Sequence, residues 1–128
     1  SSSLVASLAQ RLVRRLCEHC KQPDGSSGPP IPAHLIEEIG MDSSCLPGIH
    51  RAVGCEHCRG TGFRGRIGLF ELLVVDDQCR DLVQSRANAS QVRAAALESG
   101  MHLLSTDGLL KIHQGFTTLD EVLRVTTL

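Results

Sequence analysis

Cys17-Glu18-His19-Cys20 and Cys55-Glu56-His57-Cys58 are two copies of one tetrapeptide pattern, separated by thirty-four residues rich in Pro, Gly and Ser. A C-x-x-C turn presents two sulfurs from one knuckle of backbone. Two such turns supply the four soft ligands that tetrahedral zinc takes in a structural site. One knuckle alone is shared with redox motifs; two of the same internal composition, joined by a loop that needs closing, point to zinc on Cys17, Cys20, Cys55 and Cys58. Four buried or redox-active cysteines are the alternative. Four thiolates leave no coordination position for water or substrate, so the expected role of the site is structural and not Lewis-acid catalysis. His19 and His57 are chemically competent rivals, but each is flanked by a knuckle that already offers a two-point grip through sulfur.

Working outward, the surrounding chain has 128 residues, the size of one domain or two small subdomains. With three Phe and no Trp or Tyr, its core has to be built from Leu, Val, Ile and Ala. A net charge of −1 argues against a nucleic-acid binder, which would carry a basic excess. Residues 1–66 hold eight Lys and Arg against six Asp and Glu, and residues 67–128 five against eight, so the cysteine half is the more basic. No apolar run reaches the roughly twenty residues that cross a bilayer, and no signal peptide is recognisable. A reducing, cytosolic setting favours metal ligands over disulfides for the cysteines.

Upstream of the first knuckle, Leu4, Leu8, Leu12 and Leu16 recur every four residues, with Gln10, Arg11 and Arg14 on the opposite arc. This spacing predicts an amphipathic helix over Leu4–Leu16 with Ser3 as N-cap. Arg15 falls inside the apolar arc, where its stem would snorkel or its charge would meet a neighbouring domain. Residues 21–32 read as loop. Ala33–Ile39 reads as a short helix stopped by Gly40, and Cys45 as an incidental thiol. Lys21, Arg59, Arg64 and Arg66 lie where they could offset the charge of a tetrathiolate site or donate to its sulfurs. Ile67–Val75 reads as a buried strand, in which Glu71 would need an arginine partner. Four helices follow: one from Asp77 with Cys79, Leu82 and Val83 on a face, one after Ser90 up to Gly100, one over Thr106–Gln114, and one opened by the capping box Thr118-Leu119-Asp120-Glu121. Cys79 reads as a small core hydrophobe. His34, His50, His102 and His113 show no catalytic or chelating order. The expected fold class is α+β, mostly α: a zinc-knuckle module with a short β element, followed by a small helical bundle.

Several runs together carry a family likeness. They are Gln10-Arg11-Leu12-Val13-Arg14-Arg15-Leu16-Cys17, the two knuckles, Gly60-Thr61-Gly62-Phe63-Arg64-Gly65-Arg66 with Leu69-Phe70-Glu71-Leu72-Leu73, Asp107-Gly108-Leu109, and Gly115-Phe116-Thr117-Thr118-Leu119-Asp120-Glu121-Val122-Leu123-Arg124-Val125-Thr126. In this order they resemble the C-terminal portion of the secretion ATPases of type II secretion and type IV pilus assembly. The resemblance implies a bacterial cytoplasmic motor, hexameric in its working form, peripheral to the inner membrane and acting on inner-membrane secretion platform proteins. It implies that residues 1–16 are the terminal helix of an upstream ATPase domain, 17–66 the tetracysteine zinc module and 67–128 a strand plus helical subdomain. On this reading the chain is a piece of a longer protein. No G-x-x-x-x-G-K-[ST] loop is present, so no catalytic residue is carried over, and ATP and Mg2+ belong only to the full-length parent. The long loop, Cys45 and Glu18 (often Pro in the family) depart from the pattern. Two other readings are a chaperone-type zinc domain, on the unit Cys55-Glu56-His57-Cys58-Arg59-Gly60-Thr61-Gly62, and a nucleic-acid-binding zinc ribbon offering Phe63 for stacking.

Overall fold

The fold is known from a computed structural model and is described for residues 6–25, 30–31, 33, 37, 46–98, 101 and 103–126. Its frame is an antiparallel ribbon of two long strands, β1 (Ala6–Leu16) and β4 (Phe63–Val74). A smaller pairing, β2 (Gln22–Pro23) with β3 (His50–Arg51), closes the base of the intervening loop. Residues 22 and 23 therefore do hold a short regular pairing inside the stretch expected to be loop. Four helices follow: α1 (Asp77–Gln84), α2 (Ala89–Glu98), α3 (Leu104–His113) and α4 (Leu119–Val125). The architecture is α+β. Most of the expected helix over Ala33–Ile39, together with Cys45, His34 and His102, lies outside the described residues.

The helix expected over Leu4–Leu16 is instead the strand β1. A spacing of four is a multiple of two as well as close to a helical turn, so Leu8 and Leu12 share a face in either conformation. Pairing decides the matter. Leu8 stands opposite Leu72, Leu12 opposite Gly68 and Arg14 opposite Arg66, giving β1 the backbone bonds that a helix would have satisfied internally. The ribbon then has two unlike faces. Val13 and Leu69 point into the core and are fully buried, with Ile67 half-buried behind them. Leu8, Leu12, Phe70, Leu72 and Val74 share the other face and stay exposed, from 41% at Phe70 to 60% at Leu8. The strand predicted as buried over Ile67–Val75 thus begins earlier and buries one side only, with the period-two alternation of a half-covered strand. Between Arg14 and Leu16 the register shifts, which turns Leu16 inward beside Val13 although their parity differs.

Ile112 from α3 and Val122 from α4 complete the core with Val13 and Leu69, flanked by Ile49, Leu104, Leu109 and Leu119. α3 and α4 cross so closely that a Cβ on Gly108 would lie 2.6 Å from Val122 Cγ1. Side-chain caps open α1 and α4, the second of them the predicted one. Asp76 accepts from Cys79 N at the start of α1, and Thr118 Oγ1 accepts from Glu121 N at the start of α4. Cys79 is buried as expected, whereas Val83 is exposed. α1 packs on α2, whose buried residues are Ala95 and Ala96.

Both ribbon edges are occupied by side chains and loop backbone, β1 at its C-terminal end and β4 at mid-length. Along β1, Leu16 N donates to Phe116 O (2.8 Å), Thr117 Oγ1 donates to Arg14 O (2.8 Å) and Arg14 N donates to Glu121 Oε1 (2.7 Å). Along β4, Phe70 N donates to Asp107 Oδ2 (2.9 Å). Glu71 needs no arginine, because it is half-buried and accepts from Leu104 N at 3.2 Å.

Candidate metal centre

The end of the ribbon is where the knuckles meet. β1 runs directly into Cys17, and the second knuckle is a single 3-10 turn over Glu56–Cys58 immediately before β4. The four sulfurs of Cys17, Cys20, Cys55 and Cys58 all lie within 4.8 Å of one another. Cys17 and Cys55 are 3.8 Å apart, Cys20 and Cys58 3.9 Å, and Cys55 and Cys58 3.8 Å, Sγ to Sγ. A tetrahedron with metal–sulfur arms of about 2.3 Å has edges of about 3.8 Å, so these separations suit one central ion of zinc's size. They are far beyond the ~2.05 Å of a disulfide bond. Cys17 and Cys58 are buried and the other two half-buried.

Backbone amides, not arginines, serve the sulfurs. Gly54 N donates to Cys20 Sγ (3.3 Å), Cys55 N to Cys58 Sγ (3.2 Å) and Gly62 N to Cys58 Sγ (3.1 Å). Such donors hold thiolate ligands in orientation and accommodate their charge. Burial pushes the Cys58 thiol up, but the amides of Cys55 and Gly62, together with the Cys55 and Cys20 thiols, outweigh it and lower its pKa to about 6. Burial raises Cys20 to about 11, with the neighbouring thiols adding to the rise and the Gly54 amide opposing it. Gly62 has to be glycine: its φ is +82°, a Cβ there would sit 2.6 Å from Ala52 Cβ, and its carbonyl also accepts from Cys17 N (3.0 Å). The Gly-rich run after the second knuckle pointed to this residue, but the amide contacts themselves depend on the fold.

The expected arginine donors are placed elsewhere. Arg59, Arg64 and Arg66 are exposed, and none of them bonds a sulfur among the described residues. Lys21 joins the first knuckle to the end of α3 by donating to Gly115 O (2.9 Å), and it also reaches Glu18 Oε1 (3.1 Å). Gly48 N donates to His113 O (2.9 Å), and His50 Nδ1 donates to Gly48 O (2.8 Å), so the loop base is tied to the same helix end. Arg15 packs its guanidinium over Phe116 at 4.9 Å, with Glu18 3.7 Å away, which accounts for its place between apolar neighbours. His19 and His57 are brought together as a stacked, exposed pair with centroids 3.8 Å apart, but they are not part of the sulfur cluster.

Along β1 lies a polar network that the sequence did not announce. Glu121, 3% exposed, accepts from Arg14 Nη2 (3.2 Å), Arg124 Nη2 (3.2 Å) and Arg124 Nε (3.4 Å) besides Arg14 N. Burial tends to raise its carboxyl, yet the Arg124 side chain, the Arg14 amide and the Arg14 guanidinium hold it down at about 2. Only half of the predicted capping box is formed, because the Glu121 side chain is engaged by these arginines.

Known proteins share this arrangement of sequence. The family model described as type II/IV secretion system protein matches residues 1–124. The chain is 41% identical over 128 residues to the type IV pilus assembly ATPase PilB of Thermus thermophilus, covering 96% of this chain and 14% of that protein. It is 42% identical over 130 residues to the type IV pilus assembly ATPase TfpB of Acinetobacter baylyi, covering 100% and 21%. To the type II secretion system protein E of Pseudomonas aeruginosa it is 40% identical over 126 residues, covering 98% and 24%. The chain spans about a seventh to a quarter of the length of these relatives. With a family match over almost its whole length, the chain belongs to the type II/IV secretion system proteins.

Proposed function

We propose that Cys17, Cys20, Cys55 and Cys58 hold one structural Zn2+, and that the chain is the zinc-bearing part of an ATP-driven motor for type II secretion. The observation that carries this reading is the cluster of four sulfurs within 4.8 Å of one another, three of the separations being 3.8–3.9 Å, in a chain whose relatives are named as secretion proteins and pilus assembly ATPases. When bound, the ion would cross-link the two knuckles and thereby fix the start of the loop, its end and the tip of the ribbon. The protein's own residues then transmit position: Lys21 and Gly48 tie that tip to α3. Residues 1–16 would finish the ATPase domain, 17–66 form the metal module and 67–128 the C-terminal subdomain. ATP and Mg2+ would bind elsewhere in the longer protein. The motor would work as a hexamer at the cytoplasmic face of the inner membrane, with the stapled module passing its movement to membrane-embedded assembly proteins.

The exposed ribbon face supports a place within a larger body, since five large apolar side chains on one side of a two-stranded ribbon are a surface of the kind that partners cover. Among the described residues no helix is long and apolar enough to cross a membrane, in keeping with a peripheral part. Phe63, the stacking residue of the nucleic-acid reading, has the Arg14 guanidinium over one face of its ring at 4.1 Å. Zinc content and amide spectra test the proposal. One zinc per chain is expected, and chelation or Cys55→Ser should disorder the knuckles and loop base while α1 and α2 persist. A chelated sample with unchanged amide spectra throughout would refute the structural-zinc reading.

A further inference from the structure

We propose that the cleft between the loop base and α4 is a docking site for a Lys- or Arg-bearing segment of a membrane-embedded protein. The cleft measures about 430 Å³ and receives apolar lining from Ile49, Phe63 and Leu119. That volume lies in the range of about 300–1,000 Å³ typical of ligand-sized clefts. Two exposed carboxylates, Asp24 and Asp120, also line it, one from each side.

The charges in the lining are unequally engaged. Arg14 pairs with Glu121, while Arg51 keeps its charge and donates only to the neutral Gln22 Oε1 at 2.8 Å, so in the rest of the lining two carboxylates stand against one guanidinium. The carboxylates of Asp24 and Asp120 have no partner among the described residues; Asp24 uses only its backbone amide, which donates to Ile49 O at 2.9 Å. Two unengaged carboxylates beside an aliphatic lining suit a side chain with an apolar stem and a cationic head, which is the chemistry of Lys and Arg. Asp24 and Ile49 belong to the base of the metal module and Leu119 and Asp120 to the first turn of α4, so an occupant would bridge the module and the C-terminal helices. Cytoplasmic loops of inner-membrane proteins carry an excess of Lys and Arg, so the partner class named above presents the required group. The identity of the partner rests on the proposed function; the binding chemistry rests on the cleft.

The experiment titrates the zinc-loaded chain with hexalysine and, in parallel, hexaglutamate, following backbone amides by NMR. Hexalysine should shift the amides of Asp24, Ile49 and Leu119 saturably, and hexaglutamate should leave them in place. Replacing both carboxylates, Asp24→Asn with Asp120→Asn, should weaken hexalysine about tenfold, whereas Asp77→Asn with Glu98→Gln should change it less than about twofold. Asp24→Asn alone, outside any helix, should weaken it about threefold and serves if the double variant fails to fold. Equal binding of the two peptides, shifts confined to other surfaces, or affinity unchanged by Asp24→Asn would overturn the site. Hexalysine binding as expected together with no zinc-dependent association of the longer protein with membranes would overturn the motor-coupling reading and leave the site standing. The opposite pair of results would overturn the site alone.

Discussion

Replacing Glu121 by Gln keeps the shape of the buried side chain and removes its charge. In the native protein that charge is held by the Arg14 amide and by the guanidinium groups of Arg14 and Arg124 at 2.7–3.4 Å. The fall in pKa from 4.5 to about 2 corresponds to ~3 kcal/mol at ~1.4 kcal/mol per unit. Both arginine side chains are 54% exposed, and solvent screening of their charge lowers the expected contribution to about 2 kcal/mol. Because the folded pKa is depressed, this stability is fully present above about pH 4.5 and is lost as pH falls towards about 2. Urea unfolding of both proteins between pH 7 and pH 2.5 is the assay. Glu121→Gln should be less stable by about 2 kcal/mol at pH 7, and the gap should narrow below pH 4.5 to a small remainder. Metal loss in acid acts on both proteins alike and drops out of the difference. A gap that is absent at pH 7, or that stays constant down to pH 2.5, would refute the assignment of Glu121 as the charged clamp on β1.

Three further outcomes test the two faces and the site. Leu69→Ala should cost about 3 kcal/mol and Leu72→Ala less than about 1, since the first is fully buried and the second 48% exposed on the opposite face; equal costs in thermal or urea unfolding would contradict the register. Gly62→Ala should destabilise by about 2 kcal/mol, through positive φ and the 2.6 Å approach to Ala52, and should lower zinc affinity in competition with a chromophoric chelator; native affinity would show that the Gly62 amide does not support the centre. Asp107→Ala should cost about 1–2 kcal/mol and speed hydrogen exchange at Phe70, whose amide loses its acceptor while Lys111 loses its 2.8 Å partner; unchanged protection at Phe70 would argue against that contact.

The cysteine cluster was legible because ligand spacing is a local property: each knuckle sets two sulfurs by chain geometry alone, and the second pair differs from the first only in position. The start of α4 was legible for the same reason, through Thr118. What resisted reading was the ribbon. A four-residue leucine repeat is compatible with both a turn of helix and two steps of strand, and only the pairing of residue 8 with residue 72 distinguishes them. Arg15 did not discriminate either, since a period of two also sets it on the side of Val13, and only the register shift and the Phe116 ring accommodate it. The donors to sulfur were misassigned to charged side chains because backbone amides carry no sequence signature, and Glu121 looked like a capping residue because its arginine partner Arg14 is 107 positions away.

With Glu121 seated against β1 and Asp107 against β4, a formal negative charge stands where each strand would otherwise offer an amide to a newcomer. An incoming strand would have to expel a carboxylate and set its own carbonyl in the vacated place. Lateral recruitment, the first step of cross-β aggregation, is blocked at these two positions in the same manner as inward-facing charges guard natural sheet edges. The apolar broad side of the ribbon can therefore be left open to a partner without inviting uncontrolled growth from its margins.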